Sequence, residues 1–156
     1  EVLAPEPAAG MAMSATPPAW PGVQVRWVPY MRPRCWARTF YGAGVPDNLR
    51  RDPRAWLGLG PFAAALAIHA RRAVRGWDAV VSHWALPSAC AAAWVRSERP
   101  HAAVLHSADV HLIERLPARA CWAAAIARGA TTLAFVPRWS SLGIAMRSGA
   151  AAGSLY

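Results

Sequence analysis

Two short apolar segments that each end in a histidine constrain the fold of this chain most strongly. The first runs over residues 78–83 and the second over residues 102–106, with an alanine-rich, helix-forming stretch between them. This pattern predicts a buried strand, a turn, a helix and a second, parallel buried strand. Parallel strands end at one edge of a sheet, where open α/β folds bind their ligands. We therefore expect His83 and His106 to mark that edge.

The rest of the chain continues the alternation of strand and helix. Further strands are predicted at residues 1–5, 23–29 and 131–136, and helices at residues 61–75, 87–97, 117–128 and 138–147. This order predicts an α/β fold, a Rossmann-like parallel sheet with helices on both faces, over residues 1–147. The connecting segments are a Pro- and Gly-rich loop at 6–22, an irregular aromatic segment at 30–53, and a linker or frayed end at 148–156.

The positive charge of the chain admits three interpretations. All 17 basic residues are arginine against 8 acidic residues, which gives a net charge of +9. The surplus could reflect compositional bias on solvated helix faces. It could also serve to bind an anionic membrane or phosphate-bearing substrate, or to bind nucleic acid. No basic strip interleaved with aromatic residues is present, so nucleic acid is not an expected partner. Residues 30–53 combine Arg with Trp and Tyr, which suits a membrane or acceptor surface as well as an ordinary loop packed on the core.

Targeting signals and cysteine usage indicate a location. The apolar runs are shorter than the roughly 18 residues of a membrane span, and no signal-peptide pattern opens the chain. Three widely spaced cysteines form no CxxC pair. We expect a cytoplasmic protein with peripheral contact to the inner face of the membrane through its Arg- and Trp-rich segments.

Neither a metal centre nor a nucleophilic triad is predicted. Four of the five histidines lie between His83 and His111, but His101 and His106 occupy opposite ends of one predicted strand. A metal would need three or four converging ligands, and no HExxH motif is present. Serines near the histidines lack the Gly-x-Ser-x-Gly elbow.

Three segments resemble the bacterial glycosyltransferases of family 4. Residues 77–88 are similar to that family's D-hydrophobic-H-x-H-W-x-x-P strand and turn. Residues 104–111 are similar to its hydrophobic-x-H-G-x-D-hydrophobic strand and loop, and residues 128–137 to its A-D-hydrophobic-x-x-x-S strand. The segments follow the family's order and spacing. The resemblance covers about residues 2–146 and corresponds to the amino-terminal, acceptor-side domain of a GT-B fold.

The resemblance implies a retaining glycosyltransferase of glycan or cell-envelope biosynthesis. Such an enzyme transfers a sugar from a nucleotide-sugar, which is a substrate rather than a cofactor, to a glycan, lipid or small-molecule acceptor. By position, His106 would face the donor sugar and Asp109 would hold the loop that presents it; both are candidate catalytic residues. Catalysis would stabilise the leaving phosphate and an oxocarbenium-like centre electrostatically. The candidate substrate-binding residues are His83, Trp84, Pro87, Ser88, Ser107 and Val110.

The chain departs from the family pattern in several places. Ser107 stands where the family usually has Gly, and Pro137 stands where Ser is common. The family's first strand with its Gly-rich loop and its nucleotide-binding carboxyl-terminal domain have no counterpart in the sequence. We therefore expect a fragment that is inactive alone, in which the strands at residues 1–5 and 23–29 have no neighbour linking them to the later strands.

Other interpretations of the same residues remain open. Asp109 could simply cap the next segment through its side chain, as Asp residues often do in turns. A dinucleotide-binding domain would need a G-x-G-x-x-G motif, which is absent. A non-catalytic basic α/β module that binds anionic lipid or nucleic acid is the alternative function.

Overall fold

A computed structural model describes residues 1–10, 21–95, 98–136 and 152–154. The chain divides into two compact units, Glu1–His69 and Ala70–Tyr156. The sequence predicts one domain over residues 1–147, so the division near residue 69 is a finding of the structure. The α/β class and the parallel strand pairing are confirmed in both units.

The first unit contains a two-stranded parallel sheet within the described residues. Strand β1 (Val2–Pro5) pairs with β2 (Val25–Val28), and neither strand belongs to the sheet of the second unit. The segment predicted to be irregular is more helical than expected. It contains two short 3₁₀ turns, Arg34–Trp36 and Pro53–Gly58, and helix α1 (Val45–Arg51), and it leads into helix α2 (Leu59–Ala73).

Aromatic side chains form the core of the first unit. The rings of Tyr30 and Phe40 meet edge to face with centroids 5.3 Å apart, and Phe62 from α2 lies 4.4 Å from Phe40. Gly58 lies so close to Thr39 that a Cβ at this glycine would be 2.1 Å from the Thr39 hydroxyl oxygen. Thr39 is fully buried, and its hydroxyl donates to the carbonyl of Ala55 at 2.7 Å.

The second unit contains the sheet that the two histidine-ending segments predict. Its described strands lie in the order β3 (Val80–His83), β4 (His101–His106), β5 (Thr132–Val136) and β6 (Ala152–Ser154), and every neighbouring pair is parallel. The register pairs His83 with Val104. Strand β6 lies within the segment predicted as a linker or frayed end at 148–156. Its three small residues form a strand there because they pair with β5.

Helices cover the face of this sheet that carries alternate residues of β4 and β5. An irregular helical turn (Ala85–Ala89) leads into α3 (Cys90–Val95), and α4 (Ser107–Arg115) and α5 (Arg119–Gly129) follow β4. The buried cluster contains Leu105 and Phe135 from the sheet and Ile126 from α5. The sequence predicts helices on both faces of the sheet. In this unit, the contacts of the buried cluster place α3, α4 and α5 together on the face that carries Leu105 and Phe135. Cys90 packs in the cluster, whereas Cys121 is exposed.

Helix α4 is the main correction to the predicted fold. The residues after His106 are predicted to form an unstructured turn, but they continue directly into nine helical residues. The helix predicted at residues 138–147 lies outside the described residues. None of the described helices is both long enough and apolar enough to cross a bilayer.

Candidate functional site

His83 and His106 meet at the carboxyl edge of the second unit's sheet. The Nδ1 atom of His83 lies 3.5 Å from Nε2 of His106, and the ring centroids are 5.8 Å apart. Their side chains share a face because His83 pairs with Val104, two residues before His106 on the same strand. His83 is exposed and His106 half-buried. The predicted juxtaposition of the two imidazoles is therefore present.

Trp84 lies beside this pair of histidines and contacts His106. Its indole stacks on the His106 imidazole with centroids 5.0 Å apart and planes 25° from parallel. The backbone of Trp84 has a φ of +75°, in the region that favours glycine. Such a conformation costs about 1–3 kcal/mol and persists only where surrounding contacts enforce it. Here the Trp84 N–H donates to the Val104 carbonyl at 2.9 Å, and its carbonyl accepts from Ala89 at 3.1 Å.

Asp109 ties together the two chain segments that carry the histidines. One carboxylate oxygen accepts the backbone N–H of His106 at 2.9 Å, and the other accepts the backbone N–H of Ala85. Ala85 lies two residues after the end of strand β3, and His106 is the last residue of strand β4. The Asp109 side chain therefore holds the ends of both strands. Asp109 is only 2% exposed. Burial raises the pKa of its carboxyl, and the two backbone donors act in the opposite direction.

The position of Asp109 fits the capping interpretation of this residue. It is the third residue of α4, and its acceptance of the His106 N–H satisfies one backbone donor at the start of that helix. Because both oxygens are engaged and buried, Asp109 does not face a substrate. Its two hydrogen bonds hold the backbone at His106 and Ala85 in place, and its predicted catalytic role stays a prediction.

The other predicted substrate-binding residues divide into accessible and buried ones. Ser88 is half-buried and Pro87 is buried in the turn after β3. Val110 is 2% exposed and belongs to the core cluster, so the structure places it in the interior and its contact with substrate stays a prediction. The prediction assumed a loop at this position, and the helix turns Val110 inward. The backbone of Ser107 begins α4, immediately beside His106.

A second histidine network, which sequence reasoning missed, lies at the amino end of the same sheet. His101 is 5% exposed, and its Nδ1 lies 2.8 Å from the carbonyl oxygen of Gly129. A carbonyl only accepts, so Nδ1 carries the proton, and in the neutral ring Nε2 accepts from the Ser82 hydroxyl at 2.8 Å. Burial lowers the pKa of His101, and the bond to Gly129 opposes that shift. The register that pairs Val80 with His101 explains this contact, since it places Ser82 two residues along the same face; the sequence alone does not give that register.

The described residues offer no metal centre. Nowhere in the described ranges do three or more His, Cys, Asp or Glu side chains converge in a way that could hold an ion. At the carboxyl edge the described side chains are two imidazoles beside an indole, next to the amino end of helix α4. This arrangement can donate hydrogen bonds to an oxyanion and present a flat aromatic surface.

Comparison of the chain with protein-family models, with curated proteins and with solved structures finds no match.

Proposed function

We propose that this chain carries the acceptor-side half of a retaining glycosyltransferase site, centred on His106. The observation that carries the proposal is the Asp109 clamp. One buried carboxylate holds the ends of two parallel strands so that His83 and His106 share a single edge. The three segments that resemble the family 4 enzymes also occur in that family's order, and two of them supply this edge.

In the proposed reaction, His106 acts on the leaving phosphate of a nucleotide-sugar. The bond between the anomeric carbon and the phosphate oxygen breaks, and the acceptor oxygen forms the new bond to that carbon. The acceptor proton passes to the leaving phosphate. A hydrogen bond from His106, aided by the adjacent amino end of α4, would stabilise the charge that develops on the phosphate.

The acceptor would lie against His83 and Trp84. His83 is exposed and has a ring nitrogen at the long limit of hydrogen-bond distance from His106, so a donor–acceptor pair requires one nitrogen protonated and the other bare. An acceptor hydroxyl can replace either partner. Trp84 offers the apolar face of an indole, and its stacking on His106 fixes the angle at which the imidazole is presented.

The proposed mechanism uses no side-chain nucleophile at Asp109. A nucleophilic carboxylate must reach the anomeric carbon, but both Asp109 oxygens accept backbone N–H groups inside the fold. We therefore propose a short-lived oxocarbenium-like centre held between phosphate and acceptor. The nucleotide would be bound by a further domain, and these 156 residues alone would show no transfer. The same proposal places the protein in the cytoplasm at the inner face of the membrane.

The test measures sugar transfer by the protein as the cell makes it. Cell extracts that supply glycan and lipid acceptors are incubated with a panel of labelled nucleotide-sugars, and label in product is quantified. His106→Ala should lower the rate at least 100-fold, because the group that stabilises the leaving phosphate is lost. His111→Ala is the matched control, since His111 is exposed on α4 and pairs with Glu114 at 3.1 Å. Equal rates for both variants would refute the proposal.

A further inference from the structure

A groove in the first unit presents large apolar side chains beside arginines. It has a volume of about 350 Å³. The residues that line it are Met31, Cys35, Trp36, Arg38, Arg54 and Leu57. Two short turns form its walls, Arg34–Trp36 and Pro53–Gly58. The groove belongs to neither the aromatic core of this unit nor the histidine edge described above.

The turns that form the groove are anchored from behind. Ala37 is 3% exposed and Ala55 is 1% exposed, so the residue after Trp36 and a residue two before Leu57 are fixed in the interior. Trp36 and Leu57 themselves are 58% and 59% exposed. Buried alanines thus anchor both turns, and two large apolar side chains remain exposed at one groove. Isolated exposed apolar residues are ordinary, but a shared apolar patch indicates an interaction surface.

The charge around the groove is strongly positive. The segment from residue 31 to residue 58 carries six arginines against two aspartates. Neither Arg38 nor Arg54 forms an ion pair with a described residue. The Nε of Arg38 donates to the carbonyl of Cys35 at 3.0 Å, and none of the ion pairs among the described residues engages its two terminal amino groups. An anionic partner is therefore the electrostatic complement of this surface.

We propose that Trp36, Leu57, Arg38 and Arg54 form a docking surface for an anionic lipid bilayer. Proteins are held at a membrane interface by three kinds of side chain. Trp lies at the level of the headgroups, aliphatic side chains insert below it, and arginines pair with lipid phosphates. Leu57 and Met31 lack the flat faces on which bases stack, so the groove suits acyl chains better than single-stranded nucleic acid. This inference rests on the membrane location given under the proposed function, but its residues lie outside the histidine edge, so loss of vesicle binding and loss of sugar transfer are separate outcomes.

The experiment measures binding of the whole chain to vesicles by co-sedimentation. Phosphatidylcholine vesicles are compared with vesicles that contain phosphatidylglycerol as well. The chain should bind the anionic vesicles and not the neutral ones, and binding should weaken as salt shortens the screening length. Arg38→Gln and Arg54→Gln should each weaken binding about fivefold, as expected for one cation near an anionic leaflet. Trp36→Ala combined with Leu57→Ala should weaken it at least tenfold.

Matched controls separate this surface from the general positive charge. Arg115→Gln and Arg119→Gln remove the same charge from exposed positions of the second unit, and Trp94→Ala removes a 49% exposed indole from α3. These variants should bind within twofold of the original chain, with all circular dichroism spectra unchanged. Equal weakening by controls and groove variants would overturn the proposal. Tighter binding to a single-stranded RNA that displaces the vesicles would do so too.

Discussion

The two ends of strand β4 place the same residue type in opposite environments. At the amino end, His101 is buried, and the Gly129 carbonyl and the Ser82 hydroxyl occupy both of its ring nitrogens. At the carboxyl end, His106 is half-buried and lies against His83 and Trp84. A histidine with both nitrogens enclosed stabilises a fold, whereas one held from behind by its backbone remains available for chemistry. The position on the strand separates the two roles.

The largest expected effect concerns the residue that holds the carboxyl end in place. Asp109→Ala removes the acceptor of two backbone N–H groups inside the fold, so the free energy of unfolding should fall by about 3 kcal/mol. Chemical denaturation monitored by circular dichroism measures it. Glu114→Ala removes an exposed carboxylate from the same helix and should change stability by less than about 0.5 kcal/mol. If the two variants lost equal stability, the clamp would not exist.

The next prediction tests the contact between helices α3 and α5, which lies beside the amino end of strand β4. Gly129→Ala would place a Cβ 2.3 Å from the Cβ and 2.5 Å from the Cα of Ala93, so α3 and α5 must separate. We expect a loss of about 2 kcal/mol, in the range of overpacked cores. Gly76→Ala is the control, because nothing lies within 4 Å of the added atom there. A stable Gly129→Ala variant would show that the carbonyl that fixes His101 is held elsewhere.

The pH dependence of stability sharpens the contrast further. The pKa of His101 is lower in the folded chain than in the unfolded chain, where it is about 6.5. Below that pH the unfolded state binds the proton first, so the free energy of unfolding should decrease as the pH falls through this window and should be constant above it. His101→Gln should flatten this slope between pH 6.5 and 5. A slope that persists in the variant would assign it to another group.

The smallest expected effect on stability is at the carboxyl end of strand β4, where His106 lies. His106→Ala removes a half-buried ring that lies against the side chains of His83 and Trp84, so stability should change by less than about 1 kcal/mol. Trp84 fluorescence should change because its stacking partner is gone. A loss as large as that of Asp109→Ala would mean that His106 is structural, like His101.

Local patterns predict the strands of the site, but tertiary contacts decide much of the rest. The apolar runs predict β3, β4 and β5, and parallel topology then predicts that His83 and His106 meet. Helix α4 is missed because turn-forming residues open it, although Val110 and Ile113 at helical spacing and Arg115 in the last turn were available signals. The predicted loop left Val110 accessible, whereas the helix buries it.

Contacts between distant residues could not be predicted. The bond from Ala85 to Asp109 joins residues 24 positions apart, and no local pattern announces it. Strand β6 consists of small residues without β propensity and exists through its pairing with β5. The division into two units is likewise a property of long-range contacts. The proposed function, by contrast, rests on the resemblance of three short segments to a known family, and such segments are local.

The most direct test of the account follows the imidazoles by NMR in the histidine-labelled protein as the cell makes it, while nucleotide-sugars are added. The account predicts that the His83 and His106 ring signals move together along one binding curve, while His101 and the exposed His111 remain unchanged. Movement of His101 or His111 with no change at His83 and His106 would contradict it.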